Sequence, residues 1–459
     1  MLKFFNRLSK QVEEFQPNHP EMVTMYSCGP TVYSYQHIGN MRAYIFMDTI
    51  RRVLQYNGFQ VNGAMNITDV GHLTSDEDEG EDKMLLASAK EHKTPWEIAK
   101  FYSDLFFEDL KKLNIQIPEH ICKATDHVTN MVDYVVELVK SGYAYETSKG
   151  IYFDVQKFPD YGKLSGIKIE DRLAGARIEV DEEKKHPADF ALWIKAPKQH
   201  IMQWQSPWGM GYPGWHIECS VMGQKYLGKH IDIHTGGIDH VTVHHENEIA
   251  QNDCLAGHEV VSFWMELEFL QIDGGKMSKS LGNIYTISDL EQKGYSALDY
   301  RYFLLTAHYL KMQNFTFEAL SGAKSALNNL IKAAKKHRAS EFSNIDLSEY
   351  KQRFLNAIND DLNMPLALGV VWDMIKENPS REIYETLLEF DKVLGLSIED
   401  QATKEEKMEL PEEIKELAQQ RWQAKSNKNF ALSDELRGQL LEKGYKILDE
   451  KDGYKVEKI

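Results

Sequence analysis

The stretch that decides the fold is MVTMYSCGPTVYSYQHIGN, residues 22–40. Its first part, residues 22–28, has the composition of a buried strand and leads into the turn Gly29-Pro30. A helical pattern then follows the tetrad at residues 37–40 and continues over residues 41–56. A helix N-terminus offers unpaired N–H groups and a favourable dipole to an anion. This order of elements therefore predicts a phosphate-binding site.

A second motif far downstream, KMSKS at residues 276–280, follows the glycines of Asp273-Gly274-Gly275. The glycines permit a loop that closes over a ligand, and Lys276 and Lys279 are point charges suited to a triphosphate. His37 and Asn40 would donate hydrogen bonds to the negative charge that develops in the transition state. The two motifs together indicate adenylate formation, in which a carboxylate attacks the α-phosphate of ATP. Taken singly, the motifs also fit an ordinary helix cap and a solvated loop.

These paired motifs resemble those of the class I aminoacyl-tRNA synthetases. Four longer segments narrow the resemblance to the cysteinyl-tRNA synthetase family. They are CGPTVY at 28–33, NITD at 66–69, GWHIECS at 214–220 and HHENEIAQ at 244–251. The resemblance spans the whole chain, and its specific motifs lie between residues 28 and 283.

The expected architecture is α/β. Strand and helix patterns alternate over the first hundred residues, which predicts a doubly wound, Rossmann-like parallel sheet with an insertion. A helical bundle and a small C-terminal α+β module follow. The expected regions are the first half of the catalytic domain (1–120), a connective insertion (121–200), the second half of the catalytic domain (201–258), the KMSKS loop with a stem-contact region (259–318), a helical anticodon-binding bundle (319–400) and a C-terminal tRNA-binding module (401–459).

A metal site is expected from Cys28, Cys219, His244 and Glu248. His244 and Glu248 are one helical turn apart, so they share a face, and two thiolates with imidazole and carboxylate suit zinc. From spacing alone, two buried cysteines and a helix-surface pair would be the preferred interpretation. The resemblance implies one Zn²⁺ per chain, which the substrate cysteine binds as a thiolate.

The resemblance also implies a cysteine pocket that includes Gly29, Thr68, Trp215 and Asp239. Trp215 would form its floor, and Asp239 would hold the substrate ammonium, which needs an anion. The helix residues at 245–247 are expected to face other directions and to have structural roles.

The implied reaction has two steps. The cysteine carboxylate attacks ATP, supplied with Mg²⁺, while His37, Asn40 and Lys279 stabilise charge and Lys276 assists loop closure. The terminal ribose of tRNA(Cys) then attacks the adenylate, so the protein supplies positioning and electrostatics rather than a nucleophile.

Composition is compatible with such an enzyme. The 459 residues are 42% hydrophobic, enough for several cores, and the four cysteines are too scattered for a disulfide framework. No apolar stretch approaches a membrane span, and Arg7 and Lys10 interrupt the apolar character of the N-terminus, so we expect a cytoplasmic protein without a membrane partner. We also expect it to act as a monomer. The net charge of −17 opposes binding to tRNA, but basic patches at residues 319–340 and 421–446 provide local attraction.

Other functions fit parts of this pattern. A related ligase could couple cysteine to an amino-sugar acceptor, although the long C-terminal third argues against it. A non-catalytic tRNA-binding paralogue is disfavoured by the intact His37, Lys279 and metal ligands. A hydrolytic zinc site would need a general base, and no His-Glu-x-x-His helix is present. Asn40, where the general class I motif has a second histidine, can hydrogen-bond a phosphate but carries no charge.

Overall fold

A computed structural model of the chain describes residues 1–71, 83–168, 182–197, 200–275, 282–404, 410–450 and 453–458. The chain divides into two compact units, Met1–Ala402 and Thr403–Ile459. The finer division into six regions remains a prediction. Within the described ranges, no helix combines the length and apolar character needed to cross a membrane.

The elements are numbered in chain order. The strands are β1 (Lys3–Asn6), β2 (Gln11–Glu14), β3 (Met22–Ser27), β4 (Gln60–Ile67), β5 (His120–Lys123), β6 (Ala144–Glu146), β7 (Gly150–Phe153), β8 (Phe190–Lys195), β9 (Trp204–Ser206), β10 (Gly209–Pro213), β11 (Ile231–Gly237), β12 (Val261–Leu267), β13 (Leu270–Ile272), β14 (Gln313–Phe315), β15 (Tyr445–Glu450) and β16 (Gly453–Lys458). The helices are α1 (Ile38–Tyr56), α2 (Lys83–Glu91), α3 (Pro95–Lys112), α4 (Val128–Lys140), α5 (Trp215–Leu227), α6 (His244–Ala256), α7 (Ile287–Gln292), α8 (Ala297–Leu305), α9 (Phe317–Arg338), α10 (Ser348–Asn359), α11 (Met364–Met374), α12 (Arg381–Leu394), α13 (Ile398–Thr403), α14 (Glu412–Ser426) and α15 (Phe430–Glu442).

The central sheet is parallel and has the strand order β12-β11-β3-β4-β5. Its central strand β3 is buried at five of six positions, which explains why its sequence is almost continuously apolar rather than alternating. From β3 the chain builds outward to β4 and β5, then returns to place β11 on the other side of β3. The doubly wound prediction is therefore confirmed, and ligands of such sheets bind at this reversal of strand order.

Helix α1 connects β3 to β4, and its start is tightly capped. The N-cap residue His37 accepts a hydrogen bond from the Asn40 N–H, while the Asn40 side chain accepts one from the His37 N–H. This reciprocal cap satisfies two of the N–H groups that a helix start would otherwise leave unpaired. The helix that the sequence predicts after the tetrad is confirmed, and it begins inside the tetrad.

A second, antiparallel sheet occupies the chain between β5 and β11. Its strand order is β6-β7-β8-β10-β9. A 3-10 turn at Ala124–His127 and the helix α4 that continues it precede this sheet. The packing of α4, α5 and α6 beneath this sheet creates a second apolar core beside that of α1.

The second unit contains α14, α15 and the antiparallel hairpin β15–β16, in agreement with the small C-terminal α+β module that the sequence predicts. Its basic patch differs from the expected surface, because Arg421 is only 1% exposed and binds Asp449. Lys425 and Arg437 also contact this carboxylate, at 2.8 and 3.3 Å. The hydrogen bond from Arg421 holds the pKa of Asp449 well below its usual range. Half of the six cations in this patch therefore stabilise the unit itself, and Lys443 pairs with Glu413.

Candidate metal and nucleotide site

The candidate site lies at the carboxyl ends of β3 and β11. Cys28 directly follows β3, and its N–H donates to the Thr235 carbonyl of β11 at 3.2 Å. Cys219 lies in the second turn of α5, and His244 begins α6. Parallel strands end at one edge of a sheet, so the fold brings together segments that are far apart in the sequence.

The structure places the four expected ligands in one cluster. The ligand atoms of Cys28, Cys219, His244 and Glu248 all lie within 4.8 Å of one another. His244 Nε2 lies 3.4 Å from Cys219 Sγ and 3.0 Å from Glu248 Oε1. Glu248 Oε1 is buried and receives no well-aligned hydrogen bond from the described residues. A cation between these donors would supply the missing partner, so the cluster fits a zinc ion.

The electrostatics of the cluster favour the anionic forms of Cys219 and Glu248, whereas burial and the neighbouring Cys219 raise the pKa of Cys28 well above its usual range. Burial alone would raise the pKa of Cys219, but the hydrogen bond with Cys28 and the proximity of His244 lower it to about 6. Burial also opposes ionisation of Glu248, yet His234 and His244 lower its pKa to about 2. Burial disfavours the His244 imidazolium, but Cys219 and Glu248 raise its pKa to about 10. A divalent cation bound here would replace this proton as the positive charge.

Two histidines that the sequence did not assign to the site support the buried carboxylate and imidazole. His234, on β11, places Nε2 2.9 Å from Glu248 Oε2. His216, on α5, places Nδ1 3.0 Å from His244 Nδ1. Contacts to the outer nitrogen of a ligating imidazole fix its orientation. The sequence signals for them are the place of His216 within the motif at residues 214–220 and the number of histidines near the predicted ligands.

His245 corrects an expectation, because it does not face away from the site. Its Nε2 lies 3.7 Å from Cys28 Sγ, and its Nδ1 lies 3.0 Å from Glu266 Oε1. Cys28, His234, His245 and Glu248 form a second group with metal-binding spacing. By contrast, Glu246 accepts hydrogen bonds from the backbone N–H groups of residues 162 and 165, as a structural residue would.

The start of α1 is where the sequence predicts the nucleotide end of the site. Because His37 Nδ1 accepts the Asn40 N–H at 3.1 Å, a neutral His37 carries its proton on Nε2. The Asn40 carboxamide oxygen is engaged by the His37 N–H at 3.1 Å. Asn40 thus orients His37 directly, a role that the sequence motif does not reveal. Lys276 and Lys279 lie outside the described residues.

Two of the four pocket candidates, Gly29 and Thr68, form hydrogen bonds near Cys28. The Gly29 N–H donates to Asn66 Oδ1 at 2.7 Å, and a Cβ on Gly29 would lie 1.6 Å from the Asn66 carbonyl oxygen. Only glycine permits this close approach. The Thr68 hydroxyl donates to Glu218 Oε2 at 2.6 Å.

The other two candidates flank His244. Trp215, the first residue of α5, stacks on the His244 ring with centroids 4.2 Å apart and an interplanar angle of 30°. This contact places the indole against a candidate metal ligand. Asp239 is exposed beyond the end of β11.

Comparison with known proteins gives the family. Residues 14–325 match the family model described as "tRNA synthetases class I (C) catalytic domain". The chain belongs to this class I tRNA synthetase family. The synthetase is 42% identical to the cysteine–tRNA ligase of Treponema denticola, over 98% of both chains. It is 40% identical to the cysteine–tRNA ligase of Clostridioides difficile over 100% of both.

Solved structures agree on the fold of the synthetase. Methionyl-tRNA synthetase of Mycobacterium tuberculosis bound by methionyl-adenylate has a TM-score of 0.57 at 15% identity, covering 82% of this chain and 88% of that one. The LeuRS–tRNA–LeuAMS ternary complex of Agrobacterium radiobacter has a TM-score of 0.61 at 11% identity, covering 85% of each. At these identities the likeness supports the α/β architecture with its helical region.

Proposed function

We propose that this synthetase activates L-cysteine with ATP and transfers it to the 3′-terminal ribose of tRNA(Cys), releasing AMP and pyrophosphate. The observation that carries the proposal is the cluster of two thiols, one imidazole and one carboxylate, which includes Cys28 in the segment that connects β3 to the capped start of α1. A sulfur-selective site adjacent to a phosphate-binding helix start suits an enzyme that joins cysteine to a nucleotide.

Cys28, Cys219, His244 and Glu248 would hold one Zn²⁺ per chain. When bound, the ion would take the sulfur of cysteine as a thiolate, which the hydroxyl of serine cannot match at neutral pH. The protein's own part is to keep the Cys219 thiol and the Glu248 carboxylate ionised and to exclude water, since Cys219, His244 and Glu248 are at most 3% exposed.

In the first step, the start of α1 binds the ATP phosphates, which arrive with Mg²⁺. His37 donates its Nε2 proton to an α-phosphate oxygen, and Asn40 holds the ring in that tautomer while its own amide N–H groups face the ligand. Lys279 stabilises the departing pyrophosphate, and Lys276 assists closure of the loop. The carboxylate of cysteine attacks the α-phosphorus in line with the departing pyrophosphate.

The remaining pocket residues orient the amino acid. Trp215 forms the floor, Gly29 lets the substrate approach the backbone, and Thr68 and Asp239 receive the ammonium group. The ribose hydroxyl of tRNA then attacks the adenylate carbonyl, and AMP leaves.

The region at 319–400 and the module at 401–459 would bind the tRNA. On α9, Lys332, Lys336 and Arg338 are exposed and available to phosphates. In the second patch, by contrast, Asp449 neutralises part of the positive charge. We propose a cytoplasmic enzyme that acts as a monomer.

The most direct test is ATP–pyrophosphate exchange with cysteine, serine and the other amino acids. We expect exchange with cysteine and very little with serine, because only a thiol matches the proposed zinc site. Equal exchange with serine would contradict the metal's role in selection. Charging of tRNA(Cys) but not of an amino sugar would then exclude the related ligase, an activity already disfavoured because the cysteine–tRNA ligases match the C-terminal third as well.

Lys279→Ala is expected to reduce cysteine-dependent exchange by on the order of 10²-fold or more, since it removes a charge that stabilises the transition state. Zinc content should stay at the wild-type level, because the loop supplies no ligand. Lys311→Ala, which removes an exposed lysine outside the motif, is the matched control and should exchange normally. Normal exchange by Lys279→Ala would refute the loop assignment.

A further inference from the structure

A chain of hydrogen bonds connects the two segments that carry the candidate cysteine ligands. It begins at Gly29, next to Cys28, where the backbone N–H donates to Asn66 Oδ1 at 2.7 Å. Asn66 Nδ2 donates to Thr68 Oγ1 at 3.1 Å, and Thr68 Oγ1 donates to Glu218 Oε2 at 2.6 Å. Glu218 immediately precedes Cys219 on α5.

The interior members of this chain are almost inaccessible to solvent. Asn66 is 2% exposed, and Thr68 and Glu218 are each 1% exposed. A buried carboxyl group is costly unless hydrogen bonds compensate it. The hydrogen bond from Thr68 provides such compensation for Glu218.

All three hydrogen bonds run in the same direction. A threonine hydroxyl has one proton, so once it donates to Glu218 its oxygen is left to accept from Asn66. The orientation of the Asn66 amide then presents its oxygen to the Gly29 N–H. Glu218 accepts from Thr68 at one end of the chain, and the Gly29 N–H, which can only donate, fixes the Asn66 amide at the other.

The backbone strengthens the same connection. The Thr68 N–H donates to the Pro30 carbonyl at 3.0 Å, and the Val32 N–H donates to the Thr68 carbonyl at 3.2 Å. With the close approach of Gly29 to Asn66, these contacts hold the loop after β3 against the end of β4. The Thr68–Glu218 bond links this assembly to α5 through side chains, in addition to the hydrogen bond between Cys28 and Cys219.

We propose that Glu218 is a positioning residue for the metal site: through Thr68 and Asn66 it fixes the loop that carries Cys28 relative to the helix that carries Cys219. The inference rests on the proposed zinc site and deepens it. Contacts beyond the ligands themselves orient metal ligands, and their loss typically costs metal affinity on the order of 10- to 100-fold.

The test compares Glu218→Leu with Glu218→Gln in the full chain. Glu218→Leu removes the acceptor, so zinc affinity measured by chelator competition should fall by on the order of 10- to 100-fold. The absorption spectrum of the Co²⁺-substituted protein should change as well, because it reports the arrangement of the two sulfurs. Glu218→Gln retains a carbonyl acceptor and should restore both readouts.

Thr68→Val gives an independent test if Glu218→Leu does not fold, since it removes the hydroxyl with little change in volume. Zinc affinity should fall in Thr68→Val and be restored in Thr68→Ser, which keeps the hydroxyl. Tyr145→Phe is the matched control: it removes a 2.6 Å hydroxyl–carboxylate bond to the buried Asp189, away from the site, and should leave the metal unaffected. Wild-type zinc affinity and an unchanged Co²⁺ spectrum in folded Glu218→Leu or Thr68→Val would overturn the role of Glu218. The proposed metal site would then still stand. A wild-type protein that binds no zinc would overturn the proposed metal site with it.

Discussion

Replacement of His244 by alanine is expected to abolish stoichiometric zinc binding and to reduce cysteine-dependent ATP–pyrophosphate exchange by on the order of 10³-fold, equivalent to about 4 kcal/mol. The imidazole Nε2 lies between Cys219 Sγ and Glu248 Oε1, at 3.4 and 3.0 Å, so its loss takes a shared partner away from two buried anions, although Glu248 keeps its contact with His234. The stacking partner of Trp215 is also lost, which loosens the proposed floor of the cysteine pocket.

Zinc content per chain and the exchange rate measure these effects separately. His258→Ala is the matched control, because it also removes a stacked imidazole, with centroids 4.3 Å from His230, but at an exposed position. The control should retain zinc and activity. Full zinc occupancy in folded His244→Ala would exclude His244 as a ligand.

Asp48→Ala is expected to lower the free energy of unfolding by about 3–5 kcal/mol, because it leaves two buried guanidinium groups without their counter-charge. Asp48 and Arg301 have 0% side-chain exposure and are 2.5 Å apart. Arg52 contacts the same carboxylate at 2.7 Å, and the Gln116 N–H donates to its other oxygen at 2.8 Å.

The large effect follows from the number of elements that meet at this carboxylate. It lies on α1 and binds Arg301 from α8, whose guanidinium also donates to the carbonyls of Leu394 and Leu113. Chemical denaturation measures the loss. Asp104→Ala, which breaks an ion pair with Lys100 whose side chains are 75% and 62% exposed, should cost less than about 1 kcal/mol. Equal losses in the two variants would contradict the role of burial.

Some elements are predictable because their signals are local. The strand at 22–27, the helix that begins in the tetrad and the terminal hairpin follow from composition, turn residues and periodicity. The shared face of His244 and Glu248 likewise follows from helical spacing, and the structure places their side chains 3.0 Å apart.

Other features are hidden because they depend on burial. Asp48 and Arg52 are one helical turn apart, a spacing that is typical of a solvated ion pair on a helix surface. In the structure both side chains are buried. Arg421 reads as part of a basic surface but is enclosed beside Asp449. Charge patterns in a sequence do not show which side of a helix a second element will cover.

The sequence by itself determined the local structural features of this protein. These are a strand that leads to a capped helix start, and an imidazole and a carboxylate on one helical face. These depend only on neighbours within a few residues. The tertiary structure alone decided that Cys28 and Cys219 meet, that His245 points to Cys28, and that Glu218 closes the hydrogen-bond chain between their segments. The physical reason is that β3 and β11 end at one sheet edge and that α5, which precedes β11, packs against them there, and this convergence depends on long-range packing rather than on local spacing.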